Sequence, residues 1–344
     1  MCGTIKDMNI IEHLYNIGLM LKRDRGLKLQ RRLCQRVISV GNITLGGTGK
    51  TPLVIALAQE ALRLGLRPCI LTRGYRGKTK GPCHVCRGNG PILDVVEAGD
   101  EPVLMAMRLP QVEVIKGPDR YEAAQLSQGA DIFILDDGFQ HFGLYRDIDI
   151  VLVDCLRGFG NGRLFPVGPL REPIAQLTRA NIIVTTRNDN IGNDNPGNNL
   201  ITTLCNRAGV AYPSGITTAV YNAQHRPTSL RTTDGLDLPL SMIAGQRVFA
   251  FCGIGNPNAF RLTLQSTGAD IAGMLTFPDH HRYNTSDLKK IFKKSSDAQW
   301  IITTEKDIIK IVKLAQDQPT GKLLCLLIDI DIDRGFYKRV FGYE

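Results

Sequence analysis

No stretch of the 344 residues stays apolar for the roughly 18 positions that a membrane-spanning helix needs. The N-terminus lacks the basic, then apolar, then small-residue order of a cleavable signal. Aromatic residues are scarce, at 6% with a single Trp, and no basic stripe carries interleaved aromatics, so nucleic acid is not expected as a partner. Acidic side chains are the scarcer sign, 33 against 42 Lys and Arg. The resulting net charge of +9 favours an anionic partner without choosing among nucleotide, phosphorylated substrate and phospholipid surface. Paired, evenly spaced cysteines are absent too. The nine present are odd in number and mostly embedded in apolar segments, which points to reduced thiols in a cytoplasmic protein. Cys83-His-Val-Cys86 has the spacing of half a zinc site, but no matching second pair follows, so two thiols on a hairpin are the expected reading. The hydrophobic fraction of 43% and charged fraction of 22% are those of a soluble globular protein long enough for two domains.

The stretch from Val37 to Pro52 organises the chain. Arg36–Val40 is a β-branched run that reads as a buried strand, and Thr51–Leu64 reads as a helix with Pro52 in its first turn. Between them a glycine-rich turn ends in Gly49-Lys50-Thr51. A strand, a glycine turn and a helix opening on Lys-Thr predict a P-loop, in which backbone N–H groups and the helix N-terminus cradle a polyphosphate. Gly46, Gly47, Thr48, Gly49, Lys50 and Thr51 are the candidate nucleotide-binding residues, with Lys50 at the β/γ-phosphates and the Thr51 hydroxyl on Mg²⁺; an ordinary βα turn is the alternative. The strict pattern would place Gly where Thr44 stands.

Before this turn, Ile10, Ile11, Leu14, Ile17 and Leu21 form an apolar stripe at near-helical spacing, followed by the basic series Lys22, Arg23, Arg25, Lys28, Arg31, Arg32 and Arg36. This segment fits either an amphipathic helix packed on its own domain or a helix lying on an anionic membrane surface. After the P-loop helix, strand 67–72 runs into the basic turn Arg73-Gly-Tyr-Arg-Gly77, a phosphate contact or a solvated loop. Asp100 precedes Pro102 and is explained by helix capping alone. Strand 131–136 ends in Asp136-Asp137, where P-loop enzymes hold Mg²⁺ or its waters. Adjacent carboxylates project to opposite sides, so one of the two reaches the metal directly. A surface turn is the alternative. Gln140 and His141 add polar groups at the same strand end, and the Gly/Pro-rich segment 157–173 has no regular period. Residues 188–199 read as an exposed polar loop. Runs at 216–221 and 323–328 read as strands joining the halves, and a second α/β pattern begins at Arg247. Asp279-His280-His281 suits acid/base chemistry, metal ligation or a structural role, and Thr304 with Asp307 fits a capping box.

Alternating strands and helices predict an α/β fold: a P-loop NTPase-like parallel sheet with helices on both faces, plus a second, smaller α/β domain joined by a short β-strand linker. The expected division is a basic amphipathic helical segment at 1–36, a P-loop domain at 37–212, and a smaller α/β domain with linker strands at 213–344.

In order, the strings Gly41–Pro52, Thr72–Tyr75, Gly99–Pro102, Asp136-Asp-Gly-Phe-Gln-His141, Gly162–Pro173, Phe251–Pro257, Phe277–His280 and Thr303–Asp307 resemble the tetraacyldisaccharide 4′-kinases, the lipid A 4′-kinases of Gram-negative bacteria. Thr44 is shared by that family. The resemblance implies ATP- and Mg²⁺-dependent transfer of the γ-phosphate to the 4′-hydroxyl of a lipid A disaccharide 1-phosphate. It also implies peripheral attachment at the cytoplasmic face of the bacterial inner membrane, with the N-terminal helix on the anionic surface. It makes Asp100 a candidate catalytic base supported by His280 and assigns Mg²⁺ to Asp136 or Asp137 beside Thr51. Arg73, Arg120, Gln140, His141 and Arg171 would line the substrate or phosphate site. A rival reading from another class is a P-loop switch ATPase whose nucleotide state governs a protein partner or membrane association.

Overall fold

The structure, a computed structural model, describes residues 9–187, 198–209, 218–312, 314 and 320–343. Helix α1 (Ile10–Lys28) precedes strand β1 (Arg36–Asn42), and the glycine turn then opens α2 (Lys50–Arg63). Next come β2 (Pro68–Thr72), β3 (Cys83–Arg87), the short α3 (Val95–Ala98) and α4 (Asp100–Arg108). β4 (Glu113–Lys116), α5 (Arg120–Ala124), β5 (Ile132–Asp136), β6 (Ile148–Asp154), β7 (Ile182–Thr186) and α6 (Asn198–Arg207) follow. The second half runs β8 (Ala219–Thr232), β9 (Asp237–Leu238), β10 (Arg247–Cys252), α7 (Pro257–Gln265), β11 (Asp270–Thr276) and α8 (Thr285–Lys294). It ends with β12 (Trp300–Thr304), α9 (Glu305–Ile311), β13 (Leu323–Ile332) and α10 (Arg334–Phe341). The polar loop expected at 188–199 lies almost wholly outside the described residues.

One sheet runs through both halves in the order β11-β10-β12-β13-β8-β7-β6-β1-β5-β2-β4-β3, with β9 on β8. Its pairs are parallel except β3–β4, β8–β13 and β8–β9. β1 lies between β5 and β6, so the P-loop leaves the sheet at a reversal of strand order, where doubly wound sheets bind ligands at the strands' carboxyl ends. The register pairs Val40 with Asp136, which brings the Asp-Asp end of β5 beside the start of the glycine turn.

Strand alternation distributes the core. From β1 and β5, Ile38, Val40, Ile132 and Ile134 face Leu53, Val54 and Leu57 of α2 with Val103 and Met105 of α4. Their neighbours Val37, Phe133 and Leu135 pack on the opposite side with Ala123 and Ala124 of α5. Farther along that sheet Val151, Val153 and Ile183 meet Leu200, Ile201 and Leu204 of α6. Phe336 and Val340 of α10 return to the α2 side, so the end of the chain packs on the first half.

α1 packs on its own domain, but not through its stripe. Glu12 is buried and holds Arg163 and the Leu164 backbone N–H, while the Tyr15 hydroxyl donates to the Arg171 carbonyl. These contacts fix one helix face on the 157–173 loop. The stripe lies on the other face: Ile10 is 74%, Leu14 64% and Leu21 65% exposed. The reading in which this stripe packs on its own domain is therefore corrected. A polar residue, Glu12, makes the buried anchor, and the apolar residues are left outward.

Candidate active site

A cavity of about 1480 Å³ opens at the P-loop and extends along the carboxyl ends of the first-half strands to α1. Gly46 and Gly49 adopt positive φ of 102° and 94°, a conformation that side-chain-bearing residues rarely take. A Cβ at Gly49 would stand 2.5 Å from His225 Nε2, so this turn also needs glycine for space. The Asn42 amide donates to the Thr48 hydroxyl at 3.2 Å, and the Thr186 hydroxyl donates to the Thr48 carbonyl at 3.3 Å, which holds the loop from both sides. Lys50 and Thr51 form the first turn of α2 and line the cavity.

The two adjacent carboxylates differ. Asp137, at φ 53°, lies 3.4 Å from Lys50 Nζ and accepts two bonds from Arg171 Nη1 at 2.9 and 2.8 Å. Burial works to raise its pKa, but Lys50 and Arg171 outweigh that and hold the carboxyl well below the usual carboxylate range. Asp136 Oδ2 accepts from the Thr72 hydroxyl at 3.0 Å, while its Oδ1 is buried with no hydrogen-bond partner. Burial, then the carboxylates of Glu101 and Asp137, push Asp136 up to about 7 against the pull of Lys50. An orphaned carboxylate oxygen lining the same cavity as the P-loop Thr51 is a donor set suited to Mg²⁺, which takes one or two carboxylates and completes its shell with phosphate and water. Among the described residues no cluster of three or more His, Cys, Asp or Glu forms an all-protein cage.

Arg120 is buried, donates to the Gly117 and Pro118 carbonyls, and is lowered by burial to about 10, so it stays protonated near neutrality. Burial and the neighbouring Arg120 charge bring His141 down to about 4, leaving a neutral ring whose Nε2 accepts from the Arg120 N–H. Gln140 donates to the Asn42 carbonyl and to Glu172, and Arg73 is an exposed part of the wall.

The second half closes the other side. Asp100 opens α4 and is 6% exposed, and both its oxygens lie 2.9 Å from Nδ1 of His280. Arg76 donates to the His280 carbonyl at 2.9 Å, and the Tyr75 ring meets the His280 ring edge-on at 5.2 Å. A Cβ at Gly255 would stand 3.2 Å from Gly47 N, so the glycine turn after β10 lies against the P-loop. His281 is occupied elsewhere, bonded to Asp287 at the start of α8 and stacked on Phe277. Among the described residues the non-glycine positive-φ positions are Arg76, Asp137, Arg187 and His280, and all four line this cavity. Strain of roughly 1–3 kcal/mol at each such residue concentrates where function is expected.

Sequence reasoning missed His225, Arg157, Arg187 and Lys306. Arg157 donates to the Gly255 carbonyl, and Arg187 pairs with Asp154 and reaches the Gly47 carbonyl. No local signal marks the first three, which arrive by long-range strand pairing. Lys306 stands inside the Thr303–Asp307 string, where the cap explanation hid it: Thr304 does accept from the Asp307 N–H. Cys83 and Cys86 lie on β3, with the Cys86 thiol donating to the Pro110 carbonyl.

Comparison with known proteins matches residues 8–341 to the family model of tetraacyldisaccharide-1-P 4′-kinase. A tetraacyldisaccharide 4′-kinase of Syntrophus aciditrophicus is 43% identical over 325 residues, covering 89% of this chain and 84% of the relative. One from Halothermothrix orenii is 41% identical over 317 residues, covering 88% of this chain and 82% of the relative. The crystal structure of LpxK from Aquifex aeolicus, an "apo" form in complex with ATP, superposes with a TM-score of 0.74 at 30% identity, covering 96% of each chain.

Proposed function

The chain belongs to the tetraacyldisaccharide-1-P 4′-kinase family, and from that premise we propose that it transfers the γ-phosphate of ATP to the 4′-hydroxyl of a tetraacyldisaccharide 1-phosphate in lipid A biosynthesis. The observation that carries the residue assignments is the Asp100–His280 pair, brought by two halves of the chain to the cavity that starts at the P-loop.

Phosphoryl transfer is catalysed mainly by positioning and charge stabilisation. Lys50 and the P-loop N–H groups hold the β- and γ-phosphates. Arg73, Arg120 and Arg171 surround the transferring group and the substrate, with Gln140 and His141 placing the sugar. Thr51 and Asp136 would hold Mg²⁺, which when bound neutralises phosphate charge. The sugar hydroxyl loses its proton to the Asp100–His280 pair, help worth roughly 10²- to 10⁴-fold. Residues 37–212 serve as the kinase unit and 213–344 as the smaller unit that completes the site. The outward stripe of α1, with its basic C-terminal end, seats the protein peripherally on the anionic cytoplasmic face of the inner membrane.

ATP-dependent phosphorylation of a tetraacylated disaccharide 1-phosphate in detergent micelles tests the reading, with Lys50→Ala as control. A product gaining one phosphate, absent in the control, is expected. ATP hydrolysis indifferent to the lipid and without phosphorylated product would instead indicate the switch ATPase. Asp100→Ala should lose kcat far more than ATP affinity.

A further inference from the structure

Lys306, in the first turn of α9, has no role in the mechanism above, yet its ammonium is nearly enclosed at 16% side-chain exposure. Its Nζ lies 3.1 Å from Glu101 Oε1, 3.2 Å from His280 Nε2, 3.6 Å from Asp279 Oδ1 and 4.0 Å from Asp100 Oδ2. An ammonium has three donors and no acceptor, so a bond between Lys306 and His280 requires a lone pair on Nε2. The single proton of a neutral ring is then on Nδ1, pointing at the two Asp100 oxygens. We propose that Lys306 is a positioning residue that fixes His280 as the neutral Nδ1–H tautomer and so leaves Asp100, rather than the imidazole, to accept the proton of the sugar hydroxyl.

The proposal rests on the reading of Asp100 and His280 as the proton-accepting pair. In the step it describes, the 4′-oxygen forms a bond to the γ-phosphorus. The bond from that phosphorus to the β,γ-bridging oxygen breaks, ADP leaves, and the hydroxyl proton passes to the Asp100 carboxylate. Relay through Nε2 would need that lone pair, which Lys306 occupies. The other groups facing the pair carry both signs, and Asp279 Oδ2 lies 3.9 Å from His280 Nε2, farther than the Lys306 ammonium at 3.2 Å. Lys310, also on α9, lies 3.4 Å from Asp100 Oδ2 and is braced by Asp307. Arg76 approaches from the β2–β3 loop, Asp279 belongs to the His280 loop, and Glu101 follows Asp100 on α4. Burial acts to raise the Asp100 pKa, but the His280 hydrogen bond and the two lysines outweigh it and keep the carboxylate ionised.

The test uses the full chain labelled with ¹⁵N-histidine, the His280 signals being assigned by loss in His280→Gln. At neutral pH the intact protein should show Nδ1 protonated and Nε2 bare, and Lys306→Met should populate the other tautomer or the doubly protonated ring. In the micelle assay Lys306→Met should lower kcat about 10-fold, a fraction of what a general base is worth. The acid limb of kcat/KM should move up by about one pH unit, as removal of a cation near a carboxylate requires. KM for ATP should stay within twofold. Placed on His280→Gln, Lys306→Met should lower kcat much less than it does in the parent, because its effect on kcat passes through the ring, while its direct effect on the Asp100 carboxylate stays in the pH profile. A ring protonated on Nε2 in the intact protein, an unmoved acid limb, or full additivity with His280→Gln overturns the proposal. If Lys306→Met does not fold by circular dichroism, the tautomer of the intact protein and the pH profile of Lys306→Arg decide alone. Undiminished kcat in Asp100→Asn would remove the base assignment while leaving the tautomer result standing, so the two failures are distinguishable.

Discussion

Neighbouring residues of the P-loop do separable work. Lys50 supplies charge, whereas Gly49 supplies a backbone that other residues resist and a gap that His225 fills. Gly49→Ala combines a left-handed residue, costing roughly 1–2 kcal/mol, with a Cβ driven against the half-buried His225 ring. ATP affinity should fall more than 10-fold in a fluorescent-nucleotide titration, with the fold intact by circular dichroism. Affinity within twofold of the parent would mean that the loop does not need this geometry. Asp136 makes a pH prediction. Its carboxyl is raised to about 7, so the cation-free protein holds a proton there below that pH, and a cation must expel it. The apparent affinity for Mg²⁺, measured with a non-hydrolysable ATP analogue, should drop about tenfold per unit as pH falls below about 7 and level off above it. In Asp136→Asn that component of the slope should vanish relative to the parent. The stability linkage has the corresponding sign. A raised folded-state value stabilises the cation-free protein below the unfolded pKa of about 3.9, and this is lost as pH rises through about 7.

At the scale of elements, the P-loop was legible because its logic is local: a β-branched strand, glycines at forced angles and a helix opening on Lys-Thr all fall within sixteen residues of Val37. α2 begins at Lys50, one residue earlier than the Thr51 expected from its pattern. α1 was half legible. Spacing showed an apolar stripe but not which way it would face, because the direction is set by Glu12 meeting Arg163, a pair 151 residues apart. The outward stripe carries its own prediction. Full burial of a leucine is worth about 1.5–3 kcal/mol, so replacing Leu14 and Leu21 with glutamate should weaken binding to anionic phospholipid vesicles well over tenfold. Circular dichroism should remain unchanged, because Glu12 and Tyr15 still hold the helix to the body. Cosedimentation of the variant with vesicles at the parent's level would remove α1 as the contact.

The whole molecule explains why the rest was unreadable. β8 and β13 read as joining strands, but nothing local indicates that they pair antiparallel at the middle of a continuous sheet. That pairing delivers His225 to the P-loop and puts Asp329 of β13 within reach of α4. There Arg108, whose side chain is 10% exposed, bonds Glu305 at 2.7 Å and also Asp329, tying the helix that starts with Asp100 to the helix that carries Lys306. Burial raises the Glu305 carboxyl even with Arg108 beside it, so the pair is retained against a desolvation cost. Arg108→Met would leave Glu305 enclosed without its partner, a loss of roughly 3–5 kcal/mol, whereas adding Glu305→Gln should restore much of it by removing the stranded charge. Urea unfolding measures both. If the tie also sets the distance between α4 and α9, the double variant should recover stability yet keep a depressed kcat, since Asp100 starts α4 and Lys306, which meets His280, lies on α9. Recovery of both would show that the ion pair only stabilises the fold. Recovery of neither would mean that Arg108 acts through its packing or through Asp329 rather than through Glu305.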